Sequence, residues 1–492
     1  MRQCALVVLT GMFLAACSKS DGIQSPTAPG SIDFVKGFIG GVAADEPRAA
    51  LVARDILSAG GSAADAAAAA ALTYAVTYPS GGGLGAGGVC IASDTNRKRA
   101  ETIEFPALAA KAGGPIAMPA LVRGIGLLQG RHGKLRWEAV VAPAEQLARF
   151  GENASRAFVR AATDAQPPVV GDPALATLFA ARTGVPVEGE RRSQPQLAAV
   201  LARLRAAGPS DFYQGALAQQ VAADITAAGG GITPDELRAY SAGIGKPIEV
   251  PFAENMTIYA SNNPGGGAVA AWLIEQSFEK GLLIGSDSFS REKFVSSLGQ
   301  AYRGLDGAPM RGYGSSSVAV LDRDGKAVAC TFSMGPAFGA RRLGRETGIL
   351  FAAAPGTPGD ETPYMTAMIG INTRVAQSFV AAASTGGAPA PAAAAQSVLE
   401  AVLGKSKQDS APAALAQPRL LQFGSQAPLL HEPGADPALL AAMRSRGTAL
   451  SETSGLGRVN LGYCSAGLPR APGSCSFAAD RRGFGLATGL NF

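Results

Sequence analysis

The stretch from Ser315 to Met334 constrains the fold of this chain more than any other segment. It reads SSSVAVLDRDGKAVACTFSM, two alternating apolar runs joined by the turn sequence Asp322-Arg323-Asp324-Gly325. Two β-rich runs around such a turn predict an antiparallel hairpin. The chain has 492 residues, of which 47% are hydrophobic and 16% charged, so it can bury a substantial core around this hairpin.

Helical patterns lie on both sides of the hairpin. Residues 44–59 carry apolar side chains at helical spacing, and Gly60-Gly61 ends that run. Ser62 is a candidate N-cap with Asp65 three residues later, which predicts an Ala-rich helix over 63–76. Further predictions are helices over 134–151, over 209–230 and from about Ala268, two short strands within 246–260, and one amphipathic helix, Gln396–Leu403, in an otherwise loop-like stretch from 384 to 418.

Composition excludes several classes of function. The net charge of +5 on so long a chain gives little reason to expect a nucleic-acid partner. Only two histidines are present, His132 and His431, which excludes a three-His zinc site, and we expect neither a metal nor a cofactor. A glycine cluster follows Pro79-Ser80, but it precedes a strand and lacks the Lys-Ser/Thr of a P-loop. We interpret it as backbone packing near a site.

The amino terminus has the pattern of an export signal. Arg2 precedes an apolar run that is too short to cross a bilayer as a helix. The run ends in Leu14-Ala15-Ala16-Cys17, which resembles the bacterial lipobox, where the signal is cut before a cysteine that then carries lipid. The alternatives are an ordinary signal peptide with a stray cysteine, or a buried start.

The lipobox reading divides the beginning of the chain into a signal over 1–16 and a flexible tether over 17–35. It implies a membrane partner, through the lipid on Cys17, and a place in the cell envelope facing the periplasm. Ser18 after the cysteine favours the outer membrane.

The remaining cysteines fall into two groups. Cys464 and Cys475 flank a short Gly/Pro-rich loop, so an oxidising compartment could close them into a local disulfide, the alternative being two free thiols. Cys90 and Cys330 lie in apolar, strand-like stretches, and we interpret them as buried packing residues.

Several short motifs follow one another along the chain, among them the DILSAGGSAADAAAAAAL block, Pro79-Ser80, Gly133–Trp137, Phe212–Gly215, Ser315–Thr331, Gly386-Gly387 and Asp480–Gly483. Through these motifs, in this order, the chain resembles the γ-glutamyltranspeptidase family of N-terminal-nucleophile hydrolases from about Gly41 to the last residues. The resemblance implies an α/β (α+β) fold, a four-layer αββα sandwich. A large-subunit-like segment, 36–314, and a small-subunit-like segment, 315–492, would form one domain.

The resemblance also implies a mechanism. The chain would cut itself between Gly314 and Ser315, and the new amino-terminal serine would attack γ-glutamyl or related amides with its own α-amino group as base. Ser316 and Ser333 are further catalytic candidates, and Gly386-Gly387 resembles the oxyanion-hole segment. The implied partner is a small-molecule amide or peptide substrate, and the two fragments of the cut chain would form a heterodimer. The alternative is that Ser315–Ser317 is a polar turn that merely opens the hairpin.

The departures from the family concern substrate binding. Thr102 aligns with the family's arginine that binds the substrate carboxylate. The family's pair of serines, which fixes that carboxylate, falls near Met365-Thr366 of this chain. Ala352-Ala353-Ala354 stands where the family has the acid that holds the substrate amino group. Two hypotheses follow. One is a self-processing amidohydrolase or acyltransferase with an altered pocket; the other is a catalytically inactive, lipid-anchored family member that serves as a binding or structural module.

Overall fold

The computed structural model describes residues 39–94, 99–166, 168–170, 172–179, 186–282, 286–303, 310, 312–404 and 410–490. The predicted signal and tether, including Cys17, lie outside these residues. Within the described part of the chain, no helix has the length and apolar character needed to cross a membrane.

The strands of the described residues, in chain order, are β1 (Gly40–Ala44), β2 (Gly87–Asp94), β3 (Arg99–Phe105), β4 (Glu152–Asn153), β5 (Arg191–Arg192), β6 (Gly243–Gly245), β7 (Ile248–Pro251), β8 (Thr257–Ala260), β9 (Phe278–Glu279), β10 (Ser288–Phe289), β11 (Ser315–Asp322), β12 (Ala327–Ser333), β13 (Thr366–Asn372), β14 (Gln377–Thr385), β15 (Leu420–Leu421), β16 (Leu429–His431), β17 (Leu450–Glu452), β18 (Arg458–Leu468), β19 (Cys475–Ala479) and β20 (Leu486–Leu490). The helices are α1 (Pro47–Ser58), α2 (Ala63–Thr77), α3 (Leu121–His132), α4 (Trp137–Phe150), α5 (Arg156–Asp164), α6 (Ala176–Phe179), α7 (Pro195–Ala207), α8 (Asp211–Gln214), α9 (Ala216–Ala227), α10 (Pro234–Ala239), α11 (Gly266–Ser277), α12 (Arg291–Ala301), α13 (Ala390–Leu403), α14 (Ala411–Ala416) and α15 (Pro437–Ser445).

Two antiparallel sheets pack face to face in the middle of the molecule. The first has the order β20-β1-β11-β12-β2-β3-β6 and the second β19-β18-β14-β13-β8-β7. Small and branched side chains of both sheets, among them Ala319, Ile369 and Ala381, fill the space between them. Helices α1, α2 and α3 pack on the outer face of the first sheet, with α4 against α2. Helices α11 and α13 pack on that of the second, with α12 against α11. The expected four-layer αββα sandwich is therefore confirmed.

The predicted hairpin forms the centre of the first sheet. Strands β11 and β12 pair antiparallel with Ser315 opposite Ser333. The Asp322 side chain accepts the backbone N–H groups of Asp324 and Lys326, both at 3.0 Å, which closes the turn. The hairpin prediction is confirmed, and it places Ser315 at the first position of a buried central strand.

The end of the first predicted helix and the start of the second are also confirmed, whereas the first begins at Pro47 and not at 44, because Ala44 belongs to β1. Helix α1 ends at Ser58, and Gly60 follows with a φ of 85° that favours glycine. Ser62 and Asp65 form a reciprocal capping box at the start of α2. Every side chain of α2 is buried, because its alanines allow the helix to pack closely against the sheet.

Two element predictions are corrected. The helix expected over 209–230 is divided into α8 and α9 at Gly215, where a Cβ would lie 1.7 Å from an oxygen of the Asp211 side chain. The stretch from 384 to 418 is not mainly surface loop. Helix α13 starts at Ala390, six residues earlier than expected, and its first twelve residues are buried between the second sheet and neighbouring helices.

Two disulfides join strands that lie side by side. The bridge between Cys464 and Cys475 connects β18 and β19, which confirms the predicted local disulfide. Cys90 and Cys330 also form a disulfide, between β2 and β12, so their interpretation as packing residues alone is wrong. They are buried as expected, but 240 residues separate them in the sequence, and only the sheet register brings them opposite each other.

Candidate active site

A cavity of about 880 Å³ lies beside the start of β11. Its wall includes Gly312 and Tyr313 from the segment before the strand, Glu361 from the loop between β12 and β13, and Gly386 after β14. Ser315 itself is fully buried and lies directly behind this wall.

The Ser315 hydroxyl contacts two groups of the cavity wall. It donates a hydrogen bond to Oε2 of Glu361 at 2.5 Å, and the backbone N–H of Gly386 approaches its oxygen at 3.5 Å. Activation of a serine nucleophile requires a group that can accept the hydroxyl proton, and the Glu361 carboxylate is in position to do so.

Gly314, whose carbonyl precedes Ser315, is held both at its carbonyl oxygen and at its N–H group. The Gly314 carbonyl oxygen accepts the Met334 N–H at 2.8 Å and the Ser333 hydroxyl at 3.3 Å. The Gly314 N–H donates to Oε1 of Glu361 at 2.7 Å. Two donors on one carbonyl polarise it and would stabilise negative charge on its oxygen.

Glu361 is a buried carboxyl group that the sequence reasoning missed. Burial raises its pKa, whereas the charge of Arg458 and the hydrogen bonds from Ser315 and Gly314 lower it; the net effect is a pKa above the ordinary value. One signal was present in the sequence, because Asp360 and Glu361 are the only charged residues between Glu346 and Arg374.

Arg458, the first residue of β18, was missed as well. Its guanidinium donates to the carbonyl oxygens of Gly312 at 2.5 Å and Ser315 at 3.2 Å, and it lies over the Tyr313 ring. Burial alone would lower the pKa of the guanidinium. The nearby Tyr78 and other acidic groups raise the pKa by more than burial lowers it, so the net shift is upward and the group stays charged. Its buried Nε has no hydrogen-bond partner among the described residues.

The other arginines of the cavity differ from Arg458 in having acidic partners. Arg160 is paired with Asp164 at 2.7 Å, and Arg482 is paired with Glu432. Within the described residues, no carboxylate lies at salt-bridge distance from Arg458. Arg458 is therefore the cavity arginine best able to receive an anionic group.

Behind Ser315, a second buried acid fixes the strand. Asp45 accepts the Ser317 N–H at 2.8 Å, the Thr385 hydroxyl at 3.1 Å and the Asn460 side-chain amide at 2.9 Å. The Tyr74 hydroxyl accepts the Asp45 N–H and donates to the Ser317 carbonyl. Burial raises the pKa of Asp45. These hydrogen bonds connect the two sheets at Ser317, two residues beyond the candidate nucleophile on β11.

Two of the predicted site residues come together with Ser315. Ser333 lies opposite it and contacts the preceding carbonyl, and Gly386 contacts its hydroxyl. Gly387 follows with a positive φ of 81°, as Gly386 does with 96°, so both positions favour glycine.

The other predicted site residues lie elsewhere. Ser316 faces the opposite side of β11, where its hydroxyl donates to the Gly81 carbonyl. Thr102 is buried in β3 and donates to Glu104, and Thr366 begins β13 and donates to the Tyr364 carbonyl. Thr102, Thr366 and Ser316 are all absent from the cavity wall.

Over the ranges that the structure describes, no three His, Cys, Asp or Glu side chains come close enough to hold a metal ion.

The layered sheets and the serine at the start of a central strand define a class of protein, the N-terminal-nucleophile hydrolase fold. A solved structure, that of cephalosporin acylase from Bacillus halodurans, superposes with a TM-score of 0.72 and covers 94% of this chain and 98% of its own. The two sequences are 20% identical, so this likeness shows the fold.

The family follows from the sequence matches. The family model described as gamma-glutamyltranspeptidase matches residues 49–303, and the chain belongs to that family. Glutathione hydrolase 3 of Arabidopsis thaliana is 29% identical over 253 residues, which are 48% of this chain and 40% of the relative. The glutathione hydrolase proenzyme of Pseudomonas aeruginosa is 33% identical over 253 residues, 47% of this chain and 44% of the relative. The chain thus spans less than half the length of these two relatives.

Proposed function

We propose that this protein is a self-processing amidohydrolase or acyltransferase that cuts its own chain between Gly314 and Ser315 and then uses Ser315 on γ-glutamyl or related amides. One observation carries the proposal. The Ser315 hydroxyl is bound to a buried carboxylate while the carbonyl in front of it is held by Met334 and Ser333, all beside a cavity of substrate size.

Cleavage would supply the base for turnover. The freed α-amino group of Ser315 has an unperturbed pKa of roughly 7.7 to 8.0, which suits proton transfer from its own hydroxyl near neutral pH. The Gly386 N–H, together with its neighbour Gly387, would then stabilise the oxyanion of the acyl intermediate.

Cleavage would also change the cavity. Gly312 and Tyr313 would become part of a new carboxyl-terminal tail, and departure of that tail would release Arg458 from the Gly312 carbonyl. A free guanidinium binds a carboxylate through two parallel hydrogen bonds, so an amide that bears a carboxylate fits this site. The names of the curated relatives, glutathione hydrolases, favour γ-glutamyl amides, and the name of the acylase favours other acyl amides.

The first prediction concerns self-cleavage. The full chain, purified and run on a reducing denaturing gel with intact-mass analysis, is expected to yield a fragment that begins at Ser315 and ends at Phe492. Ser315→Ala is expected to stay whole, because it lacks the attacking oxygen. Ser296→Ala, an exposed serine on α12, is the matched control and should be cut as the wild type is. An uncut wild-type chain would contradict the proposal.

A second candidate function is a catalytically inactive, lipid-anchored binding module. It is favoured by the position of Thr102 and Thr366, which align with substrate-binding residues of the family but lie outside the cavity wall. In either case we propose a lipid on Cys17 and a place on the periplasmic side of the envelope. The same intact-mass measurement decides both points, since a whole chain supports the second candidate and an unacylated amino-terminal fragment argues against the anchor.

A further inference from the structure

We propose that Glu361 is the catalytic base of self-cleavage, the group that takes the proton from the Ser315 hydroxyl and returns it to the departing nitrogen. This inference rests on the proposed function, since it assigns a residue to the first step of that function.

The uncut chain needs a base that the mature protein does not. Before cleavage the nitrogen of Ser315 is a peptide amide, and an amide nitrogen cannot accept a proton as an amine does. The α-amino base of the mature site is therefore a product of the reaction and cannot start it. Another group in contact with the Ser315 oxygen must do so.

Glu361 is the carboxylate that makes this contact. One oxygen lies 2.5 Å from the Ser315 hydroxyl oxygen, and the other accepts the Gly314 N–H at 2.7 Å. The two bonds fix the carboxylate relative to both the nucleophile and Gly314, the residue whose carbonyl is to be attacked. Glu361 is 2% exposed, so bulk water does not compete for the proton.

The neighbouring acids are already engaged. Asp45 accepts hydrogen bonds from Ser317, Thr385 and Asn460 and shows no contact with Ser315. Asp360 accepts the N–H groups of Thr362 and Gly356, which shape the loop that carries Glu361.

The step balances as an N-to-O acyl shift. The hydroxyl proton passes to Glu361 while the Ser315 oxygen forms a bond to the Gly314 carbonyl carbon, and the resulting oxyanion is held by the Met334 N–H and the Ser333 hydroxyl. The carbon–nitrogen bond then breaks as Glu361 gives its proton to the nitrogen. Water hydrolyses the ester that remains, leaving a carboxylate on Gly314 and a free hydroxyl and amine on Ser315.

Glu361 must be ionised to act as a base. Burial raises its pKa, and the groups that face it are the positive charge of Arg458, the acidic Asp360 and the buried hydroxyl of Tyr78. Because the pKa lies above the ordinary value, the cleavage rate should fall when the carboxyl is protonated at low pH and become constant once it is ionised.

The test follows cleavage of the freshly made full chain. The chain is synthesised in a short cell-free pulse, and the cut fraction is measured over time on reducing gels. Glu361→Gln keeps the shape and an acceptor for Gly314 but cannot take the proton, and is expected to be cut about 100-fold more slowly or worse. Glu361→Asp should recover part of the rate. Glu249→Gln, the same change at an exposed glutamate on β7, is the control and should be cut at the wild-type rate.

Two outcomes would overturn the inference. One is a wild-type rate in Glu361→Gln; the other is a wild-type cleavage rate that does not fall as the pH is lowered from neutral to about 4.3, the ordinary pKa of a glutamate carboxyl. The pH profile uses the unmodified protein, so it decides the point even if the variant folds poorly. A wild-type chain that is never cut would instead count against the proposed function itself.

Discussion

Arg458 is buried beside the cavity, carries a permanent charge, and has an Nε without a hydrogen-bond partner in the part of the chain that the structure describes. In the cut protein, Arg458→Met is expected to raise KM for a γ-glutamyl anilide at least tenfold, since each bidentate guanidinium–carboxylate contact is worth about 1.5 to 3 kcal/mol. Arg458→Lys should recover only part of this affinity, because an ammonium lacks the planar fork.

The matched substrate for this prediction is an acyl anilide of similar size without a carboxylate. Its KM should change little in Arg458→Met, with melting temperatures recorded to confirm that the variant is folded. An equal rise for both substrates would show that Arg458 supports the structure and does not bind the carboxylate.

At the level of single residues, the sequence predicted the site residues that lie within the hairpin pattern or the Gly386-Gly387 motif. Ser315, Ser333 and Gly386 were predicted, and the structure brings them together. Glu361 and Arg458 were not predicted, since they come from a loop and a strand end far from Ser315 in sequence. Only the packing of the second sheet against the first places them there.

The entry into β11 depends on the absence of a side chain at Gly314. A Cβ there would lie 2.3 Å from the Gly335 oxygen and 2.5 Å from the Pro336 carbonyl carbon, both backbone atoms that cannot rotate away. Gly314→Ala must therefore push the two segments apart, at a cost of about 1 to 3 kcal/mol.

This crowding predicts slower self-cleavage and a lower melting temperature for Gly314→Ala, measured by the gel assay and by thermal unfolding. Gly473→Ala is the control, because no atom lies within 4 Å of its Cβ position. Cleavage of Gly314→Ala at the wild-type rate would mean that the Gly314 carbonyl position is not critical.

Elements specified by local chemistry were predicted well. The β11–β12 hairpin and the start of α2 depend on turn and capping residues that are adjacent in sequence. The division of the helix at Gly215 and the early start of α13 depend on contacts with other parts of the chain. Alanine, glycine and proline around 390 suggested a loop, whereas in the structure the small side chains allow a helix to pack against the sheet.

At the scale of the whole molecule, the first sheet is built from strands that precede the proposed cut and strands that follow it. Strands β1, β2, β3 and β6 precede the proposed cut, whereas β11, β12 and β20 follow it. The central β11–β12 hairpin is flanked on both sides by strands of the other segment. A cut before Ser315 would therefore leave one folded domain made of two chains.

The Cys90–Cys330 disulfide crosses the proposed cut, whereas both members of the Cys464–Cys475 pair follow it. On a denaturing gel without reductant, the cut protein is expected to run as one species, and with reductant as two. A variant with both Cys464 and Cys475 changed to Ala should behave in the same way. One with Cys90 and Cys330 changed should separate without reductant, and separation of the wild type would contradict the assigned pairing.

The same bridge bears on what happens after the mature protein unfolds. Two fragments held only by strand pairing would diffuse apart, and their reassembly would slow with dilution. A covalent link between β2 and β12 keeps each fragment at a high effective concentration near the other, so re-forming the first sheet remains an intramolecular event. The cut that frees the amino group of Ser315 would thus leave the two fragments covalently joined, and the mature protein would refold as a single molecule.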